Sequence, residues 1–270
     1  RDVVGEEQIR KYLHGSTAHL YSPWELSGMK DGVSLLQQAV AGGEKIRVIG
    51  DYDIDGVCST YILYKGLSYC GAVVDTAIPH RMKDGYGLNE NLIQEAYDAG
   101  ADTILTCDNG IAAFSQIAYA NTLGMTVVIT DHHEVPYEEC DGERRYIIPQ
   151  AAAVVDPKQE ECEYPFPEIC GAVVAYKVIL ALVAKMEHTD WKVVMKSELG
   201  LELMEFAAFA TIGDVMELRD ENRIIVKTGM ELMKNTRNLG MKALMDATGT
   251  EPQTGQAEKS RTGRCRIGRT

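Results

Sequence analysis

The chain has 270 residues and a mass of 29.8 kDa, with 45% hydrophobic and 25% charged residues, 25 glycines and 8 prolines. That suits one large α/β domain or two modest ones and excludes a collagen-like fibre, a disordered chain and a small disulfide scaffold. A net charge of −13 and a pI near 4.9 argue against a non-specific duplex-DNA coat, which needs a basic face; a nucleic-acid enzyme stays open because bound metal can reverse a local field.

The apolar runs 172–176 and 178–184 are broken by Lys177 and fall short of the roughly 18–20 residues that span a bilayer. No basic-then-apolar segment follows Arg1, so the expectation is a soluble, cytoplasmic protein with no membrane partner. The seven cysteines (58, 70, 107, 140, 162, 170 and 265) include no C-x-x-C pair and fit thiols in a reducing compartment.

In chain order, the spacing predicts a short amphipathic start and a helix over 33–41 that ends at Gly42-Gly43. Apolar strands then alternate with helices: strand 46–50, helix 57–69, strand 73–79, helix 90–99, strand 103–107, helix 112–123, strand 126–130 and strand 152–155. Connections this short imply βαβ units, hence an α/β fold with a mainly parallel sheet flanked by helices. Beyond Pro157 the pattern is helical (170–187, 199–212, 222–234, 241–247), which predicts a helical extension packed on the sheet. The expected organisation is a helical lead-in over 1–45, an α/β core over 46–160, the extension over 161–247 and a tail over 248–270. Residues 251–270 carry five basic and two acidic side chains and read as a flexible, basic terminus.

In an open parallel sheet, ligands gather at the carboxyl ends of the strands. There the first strand runs into Asp51-Tyr52-Asp53-Ile54-Asp55-Gly56, the third into Asp108-Asn109-Gly110 and the fourth into Asp131-His132-His133. One aspartate after a strand is an ordinary helix cap or turn residue. Three in alternation exceed what one helix needs, and extended geometry would aim Asp51, Asp53 and Asp55 to one side and Tyr52 and Ile54 to the other. Two charges about 4 Å apart repel by roughly 4 kcal/mol at an effective dielectric of 20, so convergent carboxylates call for cations. Carboxylates with imidazoles and no thiolate favour two divalent ions, Mn²⁺ first and Mg²⁺ second, and a two-metal centre suits hydroxide attack on a phosphoester.

At these residues the chain resembles the DHH phosphoesterase family, and within it the branch that degrades single-stranded DNA. The resemblance rests on 48–61 (VIGDYDIDGVCSTY), 79–88 (PHRMKDGYGL), 106–111 (TCDNGI), 129–134 (ITDHHE), 154–158 (VVDPK), 164–177 (YPFPEICGAVVAYK) and 211–223 (TIGDVMELRDENR), in family order. It implies metal ligation by Asp53, Asp55, Asp108, His132 and Asp214, with Asp108 bridging. Asp51 and Asp131 are implied as further ligands or as supports for the ligands. His133 would contact the scissile phosphate, and Arg81 would bind a substrate phosphate. The family's further histidine falls on Ile49, an aliphatic residue as in that branch. Asp156 is a weaker ligand candidate.

The implied activity is 5′ exonucleolysis of single-stranded DNA to mononucleotides in repair and recombination, with a single-strand-binding protein or helicase as partner. The alternatives are hydrolysis of short oligonucleotides or dinucleotides, and a non-catalytic scaffold. A dinucleotide-binding Rossmann domain is excluded, because no G-x-G-x-x-G follows the first strand.

Overall fold

Runs of five residues rich in Val, Ile and Thr, too short to be helices and apolar on both sides, can be buried only in a sheet covered on both faces. The computed structural model describes residues 5–82, 87–140 and 142–249. Its elements begin with α1 (Glu6–His14), α2 (Met29–Gly42), β1 (Lys45–Ile49), α3 (Ile54–Tyr69), β2 (Val73–Ala77), α4 (Glu90–Asp98), β3 (Thr103–Cys107), α5 (Phe114–Thr122) and β4 (Thr126–Thr130). A hairpin of β5 (Tyr137–Cys140) and β6 (Glu143–Tyr146) precedes β7 (Ala153–Val155). The remainder is helical: α6 (Gly171–Met186), α7 (Trp191–Met195), α8 (Glu198–Gly213), α9 (Asp220–Met233) and α10 (Leu239–Thr248). None of these helices is long and apolar enough to cross a membrane.

The main sheet is parallel throughout, in the order β2-β1-β3-β4-β7. The chain leaves β1 toward one edge and β3 toward the other, so a crevice opens where these two neighbours end. One face is covered by α2, α3 and α6, which pack with Val48, Leu105, Cys107 and Val128; the other is covered by α4 and α5 against Ile104, Val127 and Ile129. Further out, α8 lies on α3 and α6, and α9 on α8.

The helix α6 is apolar all round, and residues 171–184 are all buried, as such a helix must be. Its one interior charge, Lys177, pairs with the fully buried Glu221 of α9 at 2.8 Å and donates to the Tyr21 carbonyl at 2.9 Å. Glu221 also accepts the Tyr21 N–H at 2.8 Å and the Tyr164 hydroxyl, so one ion pair ties three parts of the chain together.

Two parts of the sequence reading are corrected. The helix after β1 begins at Ile54 rather than 57, because the Asp53 carboxylate accepts the Gly56 N–H at 2.9 Å and caps it. Asp51, Asp53 and Asp55 therefore do not alternate along an extended segment; Asp55 sits in the first turn of α3. The β5–β6 hairpin was unexpected, since its strands carry cross-strand Glu138–Arg145 and Glu139–Arg144 neighbours in place of an apolar face. The basic segment 251–270, with Cys265, lies outside the described residues.

Two outcomes follow from the ion pairs. Lys177→Met leaves the Glu221 carboxyl buried without its cation, so unfolding in denaturant is expected to show a loss of about 3 kcal/mol, against under about 0.5 kcal/mol for breaking the exposed Arg10–Glu6 pair. At the sheet edge, the Arg47 fork holds Asp75 with bonds of 2.7 and 2.6 Å, and with Lys45 it keeps that carboxyl below its ordinary range. A depressed carboxyl stabilises above its unfolded pKa and stops doing so as pH falls through the folded one. Asp75→Asn is therefore expected to cost about 1 kcal/mol at neutral pH for this partly exposed pair. Melting at successively lower pH should show the gap from the parent closing below the usual aspartate range.

Candidate metal centre

Each strand of the crevice ends in an acid: Asp51 and Asp53 follow β1, Asp108 follows β3, Asp131 follows β4 and Asp156 follows β7. The first turn of α3 adds Asp55, and Asp214 arrives from the other side as the C-terminal cap of α8. Asp108 has a left-handed backbone (φ 59°), which aspartate tolerates better than most residues. Beside it, the Asn109 amide donates to the Ile49 carbonyl at 3.2 Å and the Cys107 carbonyl at 2.8 Å, stitching the ends of β1 and β3 together.

Asp55 is held by a helix end. Its two oxygens accept the Gly171 N–H at 2.6 Å and the Ala172 N–H at 2.8 Å, at the positive end of α6. This approach requires glycine at 171, where a Cβ would lie 2.9 Å from the Asp108 Cβ and 3.0 Å from Asp55 Oδ2. His132 Nε2 lies 3.0 Å from Asp108 Oδ1, 3.4 Å from Asp55 Oδ2 and 4.0 Å from Asp214 Oδ2.

Three groupings have donor atoms within 4.8 Å of one another: Asp55, His132 and Asp214; Asp51, Asp53 and Asp108; and Asp108, His132 and His133. Asp51 Oδ2, Asp108 Oδ2 and His132 Nδ1 are buried without a hydrogen-bond partner. Such orphaned polar atoms are costly unless something else meets them.

The electrostatics carry the same message. Burial, followed by the charges of Asp55, Asp53, Asp131 and Asp214, pushes the Asp108 carboxyl up to about 11. Burial and then Asp55 push Asp214 up to about 6; burial also raises Asp51 and lowers the His132 imidazole. The raised carboxyls are those of a centre with more negative charge than its surroundings neutralise, while the lowered imidazole reports burial outweighing the pull of Asp55.

The second histidine is treated oppositely. Its Nδ1 lies 2.7 Å from Asp131 Oδ1, and this hydrogen bond raises the His133 imidazole above its usual range. Burial works to raise Asp131, but its bonds from His133 and from the Ile111 and His132 N–H groups outweigh that and hold it low. The His133 side chain is itself 43% exposed, so the ring that Asp131 holds is open to the crevice.

The structure brings Asp51, Asp53, Asp55, Asp108, His132 and Asp214 together and sets Asp131 behind His133. Arg81 stands at the exposed rim with its guanidinium 5.1 Å above the Tyr52 ring. Tyr52 thus lies beneath Arg81 at this rim; Lys83–Tyr86 of the Arg81 loop lie outside the described residues. Asp156 joins none of the three groupings. One of its oxygens accepts the Lys158 N–H at 2.8 Å, and burial followed by Asp131 lifts the carboxyl to about 7. Sequence reasoning gave no role to Asn109, Gly171 and Ala172; the one available signal was a glycine opening a helix that is apolar all round.

Against known proteins, the DHH family, N-terminal domain, matches residues 45–209. The single-stranded-DNA-specific exonuclease RecJ of Bacillus subtilis (strain 168) is 39% identical over 257 residues, which is 95% of this chain and 30% of that one. A crystal structure of exonuclease RecJ bound to manganese is similar with a TM-score of 0.71 at 31% identity, over 87% of this chain and 55% of that one. RecJ from Thermus thermophilus in complex with Mn²⁺ gives 0.69 at 28% identity, over 90% of this chain and 32% of its own; it has also been solved with Mg²⁺. This chain spans about a third of the length of the Bacillus subtilis relative. With the match running from the first residue of β1 into α8, the chain belongs to the DHH family.

Proposed function

We propose that this chain carries the catalytic part of a divalent-metal-dependent phosphodiesterase that removes mononucleotides from the 5′ end of single-stranded DNA. In this reading 46–160 is the catalytic core and 161–247 the extension that contributes Asp214. DNA repair or recombination is the setting, with a single-strand-binding protein or helicase as partner. One observation carries the reading: five carboxylates and an imidazole converge where β1 and β3 end, with inner oxygens of Asp51 and Asp108 that no protein donor meets. The likeness to RecJ proteins solved with Mn²⁺ and Mg²⁺ supports the choice of ion and substrate.

The donor set fits such ions, being oxygen and imidazole without thiolate. Asp55, His132 and Asp214 would hold one ion and Asp51 and Asp53 the other, with Asp108 shared. When bound, the pair supplies an activated water for in-line attack at phosphorus and neutralises charge on the phosphoryl oxygens. The protein's own groups do the rest. Asp131 orients His133 and raises its affinity for a proton, so that its ring can stabilise the phosphate or protonate the leaving oxygen. Arg81, steadied over Tyr52, offers a planar fork of N–H donors to a phosphate.

The test is product analysis on 5′-labelled single-stranded DNA and, in parallel, a dinucleotide, with Mn²⁺ or Mg²⁺. Asp108→Asn is the control because asparagine keeps the left-handed backbone and loses the charge. Mononucleotides from the long strand, reduced at least about 10³-fold in the variant, are expected; that corresponds to roughly 4 kcal/mol of transition-state stabilisation. In the absence of metal the same variant should melt higher than the parent at neutral pH, since a carboxyl raised to about 11 must take up a proton on folding and asparagine need not, and it should lose the Mn²⁺-induced rise in Tm. Turnover of the dinucleotide alone would move the reading to short substrates, and no metal-dependent turnover of either would leave a non-catalytic scaffold.

His133→Ala is expected to lower kcat about 10²-fold and to keep the Mn²⁺-induced rise in Tm, as befits a proton donor that is not a ligand. Steady-state kinetics with Arg81→Ala should instead show the larger change in KM.

A further inference from the structure

Helix α8 ends in a pattern that ordinarily calls for glycine. Asp214 caps it, the Val215 N–H donates to the Ile212 carbonyl at 3.2 Å, and the Met216 N–H returns to the Thr211 carbonyl at 3.1 Å. This double closure puts the residue after the cap in the left-handed region, where glycine is the usual occupant. Here that residue is Val215, at φ 59°. A β-branched side chain is strained there, because its Cβ crowds the backbone. Packing inside the fold does not offset the strain, since Val215 is 87% exposed. Strain without burial points outward, to a contact with something else.

The neighbours define that contact. Asp214 Oδ2 lies 4.0 Å from His132 Nε2, so Val215 is one residue from the metal centre. Gly213, on the other side of Asp214, meets Ile54 so closely that a Cβ there would lie 2.5 Å from Ile54 Cγ2. Ile54 itself stands between Asp53 and Asp55. The start of α3 and the end of α8 thus abut at the rim, with apolar residues interleaved among the acids of the centre. Val57, one turn along α3 from Ile54, and Ile212 of α8 are exposed as well. A cation-holding centre with an apolar ledge beside it matches the two halves of a nucleotide, a phosphate and a flat base.

We propose that Val215 packs against the base of the terminal nucleotide while the scissile phosphate occupies the centre, with Ile212 and Val57 extending the ledge. Resting on the reading of that centre as a single-stranded-DNA exonuclease site, this contact adds a grip on the base that metal ligation cannot supply. An apolar surface against the face of a base reads no hydrogen bonds, so every base is accepted.

The test compares metal-dependent turnover of two 5′-labelled single strands that differ only at the terminal nucleotide, one with its base and one abasic. The parent is expected to favour the base-bearing strand at least about tenfold in kcat/KM, roughly the worth of one buried valine contact. Val215→Gly should bring the two strands level and at the same time raise Tm by about 2–4 °C, because glycine relieves the strain. Val215→Ala, which shortens the side chain and keeps a Cβ in the left-handed region, should narrow the preference with a smaller rise. A gain in stability joined to a loss of substrate preference is a result that a merely structural valine would not give. Equal turnover of the two strands by the parent, or the same preference in the parent and Val215→Gly, would overturn the base contact and leave the exonuclease reading standing. A fall in Tm for Val215→Gly would show that the side chain supports the fold and would overturn the assignment. No metal-dependent turnover of either strand by the parent would overturn the exonuclease reading and the base contact with it.

Discussion

Mutual repulsion among carboxylates is the constraint around which this fold is arranged. Asp51, Asp55 and Asp108 are almost completely buried within a few ångströms of one another, where each charge raises the cost of the next. Only part of that cost is met by the polypeptide. The amino end of α6 takes both oxygens of Asp55, the Gly56 N–H takes one of Asp53, and His132 faces Asp108. The unmet remainder is concentrated on Asp108 and Asp51, the carboxylates nearest the switch between β1 and β3.

Supporting this arrangement takes an unusually deep helical layer. A helix end can neutralise a carboxylate only if it points straight at it, and α6 is fixed in that direction by burial on every side. The Lys177–Glu221 pair completes the hold from the far side, joining α6 to α9 and to the segment around Tyr21. The layers outside the sheet therefore serve the centre as well as the core: α8 covers α6 and also ends at Asp214.

Much of this was legible in the sequence because it depends on local patterns. The ranges of β3 and β4, and the presence of α3 to α6, follow from apolar runs set between turn residues. What escaped depended on contacts remote in sequence. The start of α3 moved because Asp53 caps it, a role that competed with the extended reading of the same three aspartates. The Asp55–Gly171 bond joins residues 116 positions apart, and no periodicity announces it. Asp214 stands at a helix end like many capping residues, and in the sequence only the family resemblance of 211–223 set it apart. The β5–β6 hairpin, paired through Glu and Arg, lacks the apolar alternation by which strands are recognised.

The clasp made by Asn109 has a geometric consequence. Neighbouring strands in any sheet run about 4.8 Å apart, and Asn109 carries that spacing one residue beyond the last ladder pair by gripping the backbone of both β1 and β3. The backbone positions from which the acids after the two strands depart are thus held by a side-chain amide that grips both main chains. The sheet works as a ruler, its graduation being the spacing of paired strands. Longer acids at these positions would overshoot it, which gives a physical reason for short aspartates rather than glutamates at every strand end of the crevice.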